Sequence, residues 1–260
     1  MSSETIDHRP NRLFIILAGF FVTNAIIAEL IGAKIFQLED SLGISRFSFD
    51  MFGQENLSFQ LTAGVLLWPV IFVMTDMINE YYGKRGVRFL SFLTVGLIIY
   101  AFLMVYVAMH VTPSEWWMGS KQEEGISDLN KSFKVVFGQG LNIIVGSVVA
   151  FLIGQLVDVV VFQRIKRATG EKKIWMRTTI STLVSQLIDS YVVLFIAFYL
   201  LGNWPLKLVI AIGIMNYIYK FLMAVLLTPL VYLIHGWIEK YLGHDLASQM
   251  KTKAMSTRIS

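Results

Sequence analysis

Gly154-Gln155-Leu156-Val157-Asp158-Val159-Val160-Val161-Phe162 is an apolar run interrupted by one amide and one acid, and the same spacing returns at Gln186-Leu187-Ile188-Asp189. A Gln and an Asp three positions apart share one face of a helix. Each stretch therefore offers an amide and a carboxylate pointing the same way from within an oily segment. A carboxylate at the centre of a bilayer-spanning helix costs roughly 2.5–3.5 kcal/mol on insertion scales. Two such acids, together with Lys220 in another apolar run, point to a polar site buried in a membrane domain.

The surrounding composition agrees. Of 260 residues 55% are hydrophobic and only 15% charged, against about 25% charged in an ordinary soluble domain. Six runs are long enough to cross a bilayer: 13–36, 59–79, 89–110, 135–162, 178–201 and 204–235. The fold class expected is an all-α integral membrane protein with six transmembrane helices in one domain, followed by a tail over 236–260. The fourth and sixth runs exceed the roughly 20 residues a crossing needs. They are expected to tilt, or to break near Gly138-Gln139-Gly140 and near Pro229. No cleavable signal is expected in the polar start Met1–Arg12. Cysteine is absent, which excludes disulfides and thiol chemistry. No His/Asp spacing makes a metal site, and no cofactor or nucleic-acid partner is expected.

Lys and Arg concentrate on one side. Arg9 and Arg12 precede the first run, and Lys84, Arg85 and Arg88 follow the second. The loop after the fourth holds Arg164, Lys166, Arg167, Lys172, Lys173 and Arg177, and the tail holds Lys240, Lys251, Lys253 and Arg258. The other loops carry Arg46, Lys121, Lys131, Lys134 and Lys207. The positive-inside rule then puts both termini of the multi-pass chain in the cytoplasm. Of the two long outer loops, Gln37–Ser58 reads as a lid over an outward-facing site, and Trp116 and Trp117 in the second as an interfacial belt. The tail, with Trp237, Ile238, Tyr241 and Leu242 among charges, is expected to lie on the inner lipid surface.

At 1.5 Å rise per residue, Asn24, Asp189 and Lys220 lie about 17, 18 and 22 Å from the inner face, near the middle of the bilayer. Asp76 and Asp158 lie only about 8 Å deep. Two layers are expected: a central amide–acid–base cluster, and a lower pair of acids with Gln155 one turn above Asp158. Gln186 accompanies Asp189, and Tyr217 shares the face of Lys220. The structural alternatives are an Asp189–Lys220 pair that only locks two helices, and Asp76 and Asp158 answered by Lys84, Arg85 or Arg164. Glu80 is expected at the surface, and Glu29 and Lys34 either snorkel or line the entrance. Carboxylates and amides suit the N–H edge of a planar solute, and Tyr191, Tyr217 or Trp204 could stack on its ring.

The stretch Pro69-Val-Ile-Phe-Val-Met-Thr-Asp76-Met-Ile-Asn-Glu80-Tyr-Tyr-Gly83 resembles the signature of the queuosine precursor, or vitamin uptake, transporters. Gly154-Gln155-Leu-Val-Asp158 with Phe162 and Arg164, Ser181-Thr182-Leu183 with Asp189, and Tyr217-Ile-Tyr-Lys220 with Pro229 continue the likeness in order along the hydrophobic chain. The resemblance implies a six-helix carrier importing 7-deazaguanine bases, the cyano or aminomethyl precursors of queuosine. Its polar positions map onto Asn24, Asp76, Gln155, Asp158, Asp189 and Lys220; Gln186 and the first outer loop have no counterpart. The architecture also looks like the substrate-binding membrane subunits of energy-coupling-factor transporters.

Two other readings compete. One is such a capture subunit, working with a separate ATPase, for which Ala28 and Gly32 supply a small-residue face. The other is an intramembrane aspartyl hydrolase, which needs two carboxyls close enough to share a proton. The expected partners are a small nucleobase solute and membrane lipid, with a homodimer by analogy.

Overall fold

The computed structural model describes residues 7–138, 141–170 and 173–256. Its long helices are α1 (Arg9–Ile31), α3 (Trp68–His110), α6 (Leu141–Thr169), α7 (Ile174–Leu194) and α8 (Leu206–Leu226). Shorter ones are α2 (Leu38–Leu42), α4 (Glu115–Met118), α5 (Leu129–Gly138), α9 (Thr228–Leu242) and α10 (His244–Ser256). Among the described residues five helices are long and apolar enough to cross a membrane, one of them α7 extended by a π-helical turn to Leu200.

The distribution of side chains is that of a protein dissolved in lipid. Ile15, Phe20, Phe89, Phe92 and Leu226 stand exposed on the outside, whereas Thr75, Asp76, Asn79, Glu80, Lys166, Arg177, Ser181 and Gln186 are buried. A water-soluble protein shows the opposite arrangement, with Lys, Glu, Arg and Asp almost never fully buried. The chain is an all-α, multi-pass membrane protein.

The expected runs 59–79 and 89–110 are carried by the single element α3, 43 residues long. Straight, it would extend about 65 Å, twice the hydrocarbon thickness. It breaks at Gly83, whose backbone is left-handed and non-helical (φ 67°, ψ −169°). Glycine reaches such a conformation without steric cost, and a methyl here would also come within 2.9 Å of the Ala254 carbonyl oxygen on α10. Next to the break, the Tyr82 hydroxyl donates to the Pro10 carbonyl at 2.5 Å, fixing the start of α1. At the other end of α1, a methyl on Gly64 would collide with the Ala28 carbonyl oxygen. The small-residue face of α1 is thus spent inside the chain.

The run 204–235 divides at Leu227, where α8 ends and α9 starts with Pro229 in its first turn. Proline has no N–H to continue a ladder and suits a helix start. For the fourth run, α5 ends at Gly138; Gln139 and Gly140, where the break was expected, lie outside the described residues. The helix after it continues to Thr169, two turns past Phe162. The tail forms α10, which packs against α3 with Ala247, Lys251 and Ala254 buried.

Between α1 and α3 the first outer loop forms a strap of short strands. β1 (Ile35–Gln37) pairs antiparallel with β4 (Gln60–Thr62), and β2 (Phe49–Met51) with β3 (Gln54–Leu57). The strap closes around Glu39, which is buried at its centre and accepts hydrogen bonds from the Phe59 amide (3.1 Å) and Gln37 Nε2 (2.6 Å). Burial pushes the Glu39 carboxyl up, but backbone donors at Phe59 and Phe47 and the Gln37 amide outweigh it and hold it below its usual value. A depressed folded value means that its stabilising contribution is complete above the usual carboxylate range and is lost as pH falls through the lowered value. Amide exchange at Phe59 is expected to stay protected at neutral pH and to lose protection on acidification below that value. Glu39→Leu, which has no acceptor, should leave Phe59 unprotected already at pH 7, and equal protection in both proteins contradicts this account.

Candidate functional site: a cavity between α3, α7, α8 and α9

A cavity opens between the first limb of α3, α7, α8 and the start of α9, about 500 Å³ when the open solvent at its mouth is included. Trp68, Phe72, Val73, Met223 and Val231 supply apolar walls. The Trp68 and Phe72 rings lie nearly parallel, 5.9 Å apart. Polar groups come from Asp76, Thr178, Thr179, Thr182, Gln186, Tyr219, Lys220 and Thr228. Apolar walls with a few converging polar groups are the usual form of a small-molecule site.

Two of those polar groups are unanswered by protein. Asp76 Oδ1 and Gln186 Oε1 are fully buried, with no hydrogen-bond partner among the described residues. Their side chains are only 3% and 2% exposed. Buried polar atoms are nearly always paired, so two open acceptors facing one cavity mark where a donor-rich solute can sit. Lys220 is oriented differently: its Nζ donates to Asp189 Oδ2 at 2.6 Å, an ion pair between α8 and α7. The approach of these helices depends on Gly213, where a Cβ would stand 2.7 Å from the Tyr191 ring.

The remaining sequence-derived candidates divide into supports and outliers. Thr75, beside Asp76, meets Gln155 across the α3–α6 contact at 3.4–3.5 Å. Asp158 accepts from Ser185 Oγ at 3.3 Å, between α6 and α7. These residues stand behind the cavity wall rather than in it. Asn24 donates to the Phe20 carbonyl of its own helix at 2.7 Å and does not join the cluster, because a short amide is readily satisfied one turn back. Tyr217 is also not on the lining, which runs inward from Tyr219 toward Leu227. Of the expected stacking rings, Tyr191 packs on Gly213 and Trp204 on Phe198. Trp68, Phe72 and Tyr219 are the aromatic residues of the cavity. The two expected layers are therefore one: Asp76 and Lys220 border the same space. Asp158 and Asp189 are held by Ser185 and Lys220 respectively, an arrangement unlike a proton-sharing hydrolase dyad.

Glu80 is not at the surface. It is fully buried and bridges two cations, Lys166 Nζ at 3.0 Å and Arg177 Nη2 at 2.6 Å. Lys166 also donates to the Glu80 carbonyl (2.6 Å) and Arg177 to the Gly170 carbonyl (2.6 Å). Arg177 lies 5.9 Å over the Phe162 ring, and Gln163 donates to Asn79 Oδ1 at 2.6 Å. This inner block ties α3, α6 and α7 together beneath the cavity. It escaped the sequence reading because Lys166 and Arg177 look like loop charges there, and an acid with two buried cations has no local signature. On the opposite side the strap residues Phe36, Leu38 and Phe59 pack with Leu61, Val65 and Tyr219. Val65 and Tyr219 also line the cavity, so the strap rests against its wall. Glu29, partly buried on α1, accepts a hydrogen bond from Ser147.

A lipid-embedded helix bundle with an apolar cavity edged by a few buried polar groups is the architecture of a membrane carrier. The chain belongs to the vitamin uptake transporter family: the family described as "Putative vitamin uptake transporter" matches residues 62–234. That span begins after α1 and most of the strap, so the likeness does not extend over Asn24. Curated relatives carry transporter names. A "Probable queuosine precursor transporter" of Bacillus subtilis is 32% identical over 176 residues, covering 66% of this chain and 70% of that protein. The "Queuosine precursor transporter" of Escherichia coli is 28% identical over 65% of this chain and 70% of its own length. A "Probable queuosine precursor transporter" of Haemophilus influenzae is 27% identical over 66% and 67%. No solved structure matches the chain. The protein is a transporter and not an enzyme.

Removing one partner of a buried ion pair costs about 3–5 kcal/mol, because the other charge is left unanswered. Glu80→Gln strands two cations and should lower the unfolding midpoint of the detergent-solubilised protein strongly. The same change at exposed Glu124 should leave it unmoved. Equal midpoints for both variants contradict the buried triad.

Proposed function

We propose that this transporter imports a 7-deazaguanine base, in the cyano or aminomethyl form, as a precursor of queuosine. The observation that carries the reading is the cavity in which Asp76 and Gln186, each with a buried unpartnered acceptor, line the same space as the aromatic wall of Trp68 and Phe72. A guanine-like base offers N–H donors along one planar edge, which a carboxylate accepts in a bidentate way. Asp76 receives that edge and the Gln186 amide adds a second contact. Lys220, oriented by Asp189, faces the carbonyl on the other side of the ring, and Trp68 or Phe72 covers the ring face. Gln155 and Asp158 hold the wall in place. The names of the curated relatives support the same solute class.

The break at Gly83 supports counting the two limbs of α3 as separate crossings, which gives six in all. With six, and with basic residues gathered at Arg9–Arg12, Lys84–Arg88 and Arg164–Arg177, both termini face the cytoplasm across the inner membrane. The strap then lies outside and acts as a lid on the cavity.

Binding of 7-cyano-7-deazaguanine should raise the melting temperature of the purified protein. Asp76→Asn should weaken binding about tenfold to a hundredfold, since a hydrogen bond to a charged group is worth roughly 1.5–3 kcal/mol, and Gln186→Leu about twofold to tenfold, since a neutral one is worth roughly 0.5–1.5 kcal/mol. Liposomes containing this chain alone should accumulate the base; an absolute need for a separate ATPase would favour a capture subunit. Wild-type affinity in both variants overturns the site.

A further inference from the structure

The interior holds more acid than its cations can answer. Asp76 is buried beside the cavity and Asp158 is buried behind it, and each keeps one carboxylate oxygen without a hydrogen-bond partner among the described residues. They belong to one locus: Thr75, next to Asp76, contacts Gln155, one helical turn from Asp158. Ser185, which donates to Asp158, precedes the cavity residue Gln186.

The surrounding charges are already engaged. On the inner side, Glu80 of α3 is held by Lys166 of α6 and Arg177 of α7. Across the cavity, Lys220 of α8 is held by Asp189 of α7, and Tyr219 is a neutral phenol. On α9 and α10, His235 lies 3.8 Å from Glu239 and Lys251 donates to that same carboxylate at 2.8 Å. Glu29 of α1 is bonded to Ser147. Among the described residues no Lys or Arg forms an ion pair with Asp76 or Asp158.

The triad at Glu80 has two cations for one acid, so one positive charge remains over. That balances one of the two aspartates and leaves the second. While the cavity is open, water can solvate the Asp76 carboxylate that borders it. When the cavity closes on a solute that water is displaced, and two buried carboxylates sharing one spare positive charge take up one proton between them.

We propose that the Asp76–Asp158 pair binds one proton with each solute molecule, so that import is proton-coupled. This rests on the cavity being the solute site. The proton comes from external water and forms one O–H bond on a carboxylate of the pair. Asp158 is the resting place, because Asp76 must remain ionised to accept the solute's N–H edge. The proton leaves to cytoplasmic water when the cavity opens inward, and no bond in the solute is made or broken.

The test uses liposomes containing the purified full chain and a pH dye inside. With no imposed gradient, adding 7-cyano-7-deazaguanine outside should acidify the lumen as the base enters, and a protonophore should abolish the signal. Asp158→Asn imitates the protonated acid, so base entering through that variant should produce no acidification. Wild-type uptake without acidification, or uptake that requires sodium and moves no proton, overturns the proposal. So does Asp158→Asn that still acidifies the lumen. Should the variant not fold, the wild-type arm decides alone. Absence of any base binding in the melting assay instead rejects the solute assignment, which is a separate failure.

Discussion

The contact of Glu80 with Lys166 and Arg177 is the constraint from which the rest of the interior follows. Three charged side chains are removed from both water and lipid, and they tolerate it only because they answer one another at 2.6–3.0 Å. The contact draws the inner ends of α3, α6 and α7 to one point. Above it, the α3–α6 link through Thr75 and Gln155 and the α6–α7 link through Asp158 and Ser185 continue the same three-helix seam. α8 then joins through Asp189 and Lys220, and the space between α3, α7 and α8 is left as the cavity.

That arrangement explains why polar residues are concentrated where packing alone would favour leucine. In lipid the hydrophobic effect gives no reason for one helix to prefer another, so helix contacts draw on small residues and on polar pairs. Gly64 against Ala28 and Gly213 against Tyr191 are contacts of the first kind, and the ion pairs are of the second. Asp76 and Gln186 differ from both, since their open acceptors contribute nothing to assembly. Such groups are expensive to keep in a membrane protein unless something binds them.

The sequence made part of this legible. Counting charges in apolar runs singled out Asp76, Gln155, Asp158, Gln186, Asp189 and Lys220; Asp76, Gln186 and Lys220 line the cavity, Asp189 pairs with Lys220, and Gln155 and Asp158 contact Thr75 and Ser185, the chain neighbours of Asp76 and Gln186. The reason is energetic: a polar group at depth announces itself against an oily background. Residues whose role depends on distant partners were not legible. Glu80 meets cations more than eighty positions away, and both look like surface charges in a basic loop. Asn24 fitted the depth argument, yet an amide can bond to its own helix, a choice that depth does not reveal. Tyr217 was selected by helical spacing from Lys220, but spacing fixes a face and not how far along it the cavity extends. The strap's short strands, set among Gly and Asn, carry too little periodicity to be read at all.

The central claim is that the solute lies in the cavity against Trp68 and Phe72, with its polar edge on Asp76, Gln186 and Lys220. An experimental structure of the protein with 7-cyano-7-deazaguanine tests it most directly. The account predicts density for a flat ring in that cavity, with its N–H edge on the Asp76 carboxylate. Density for the base elsewhere in the bundle, with Asp76 and Gln186 untouched, would contradict it.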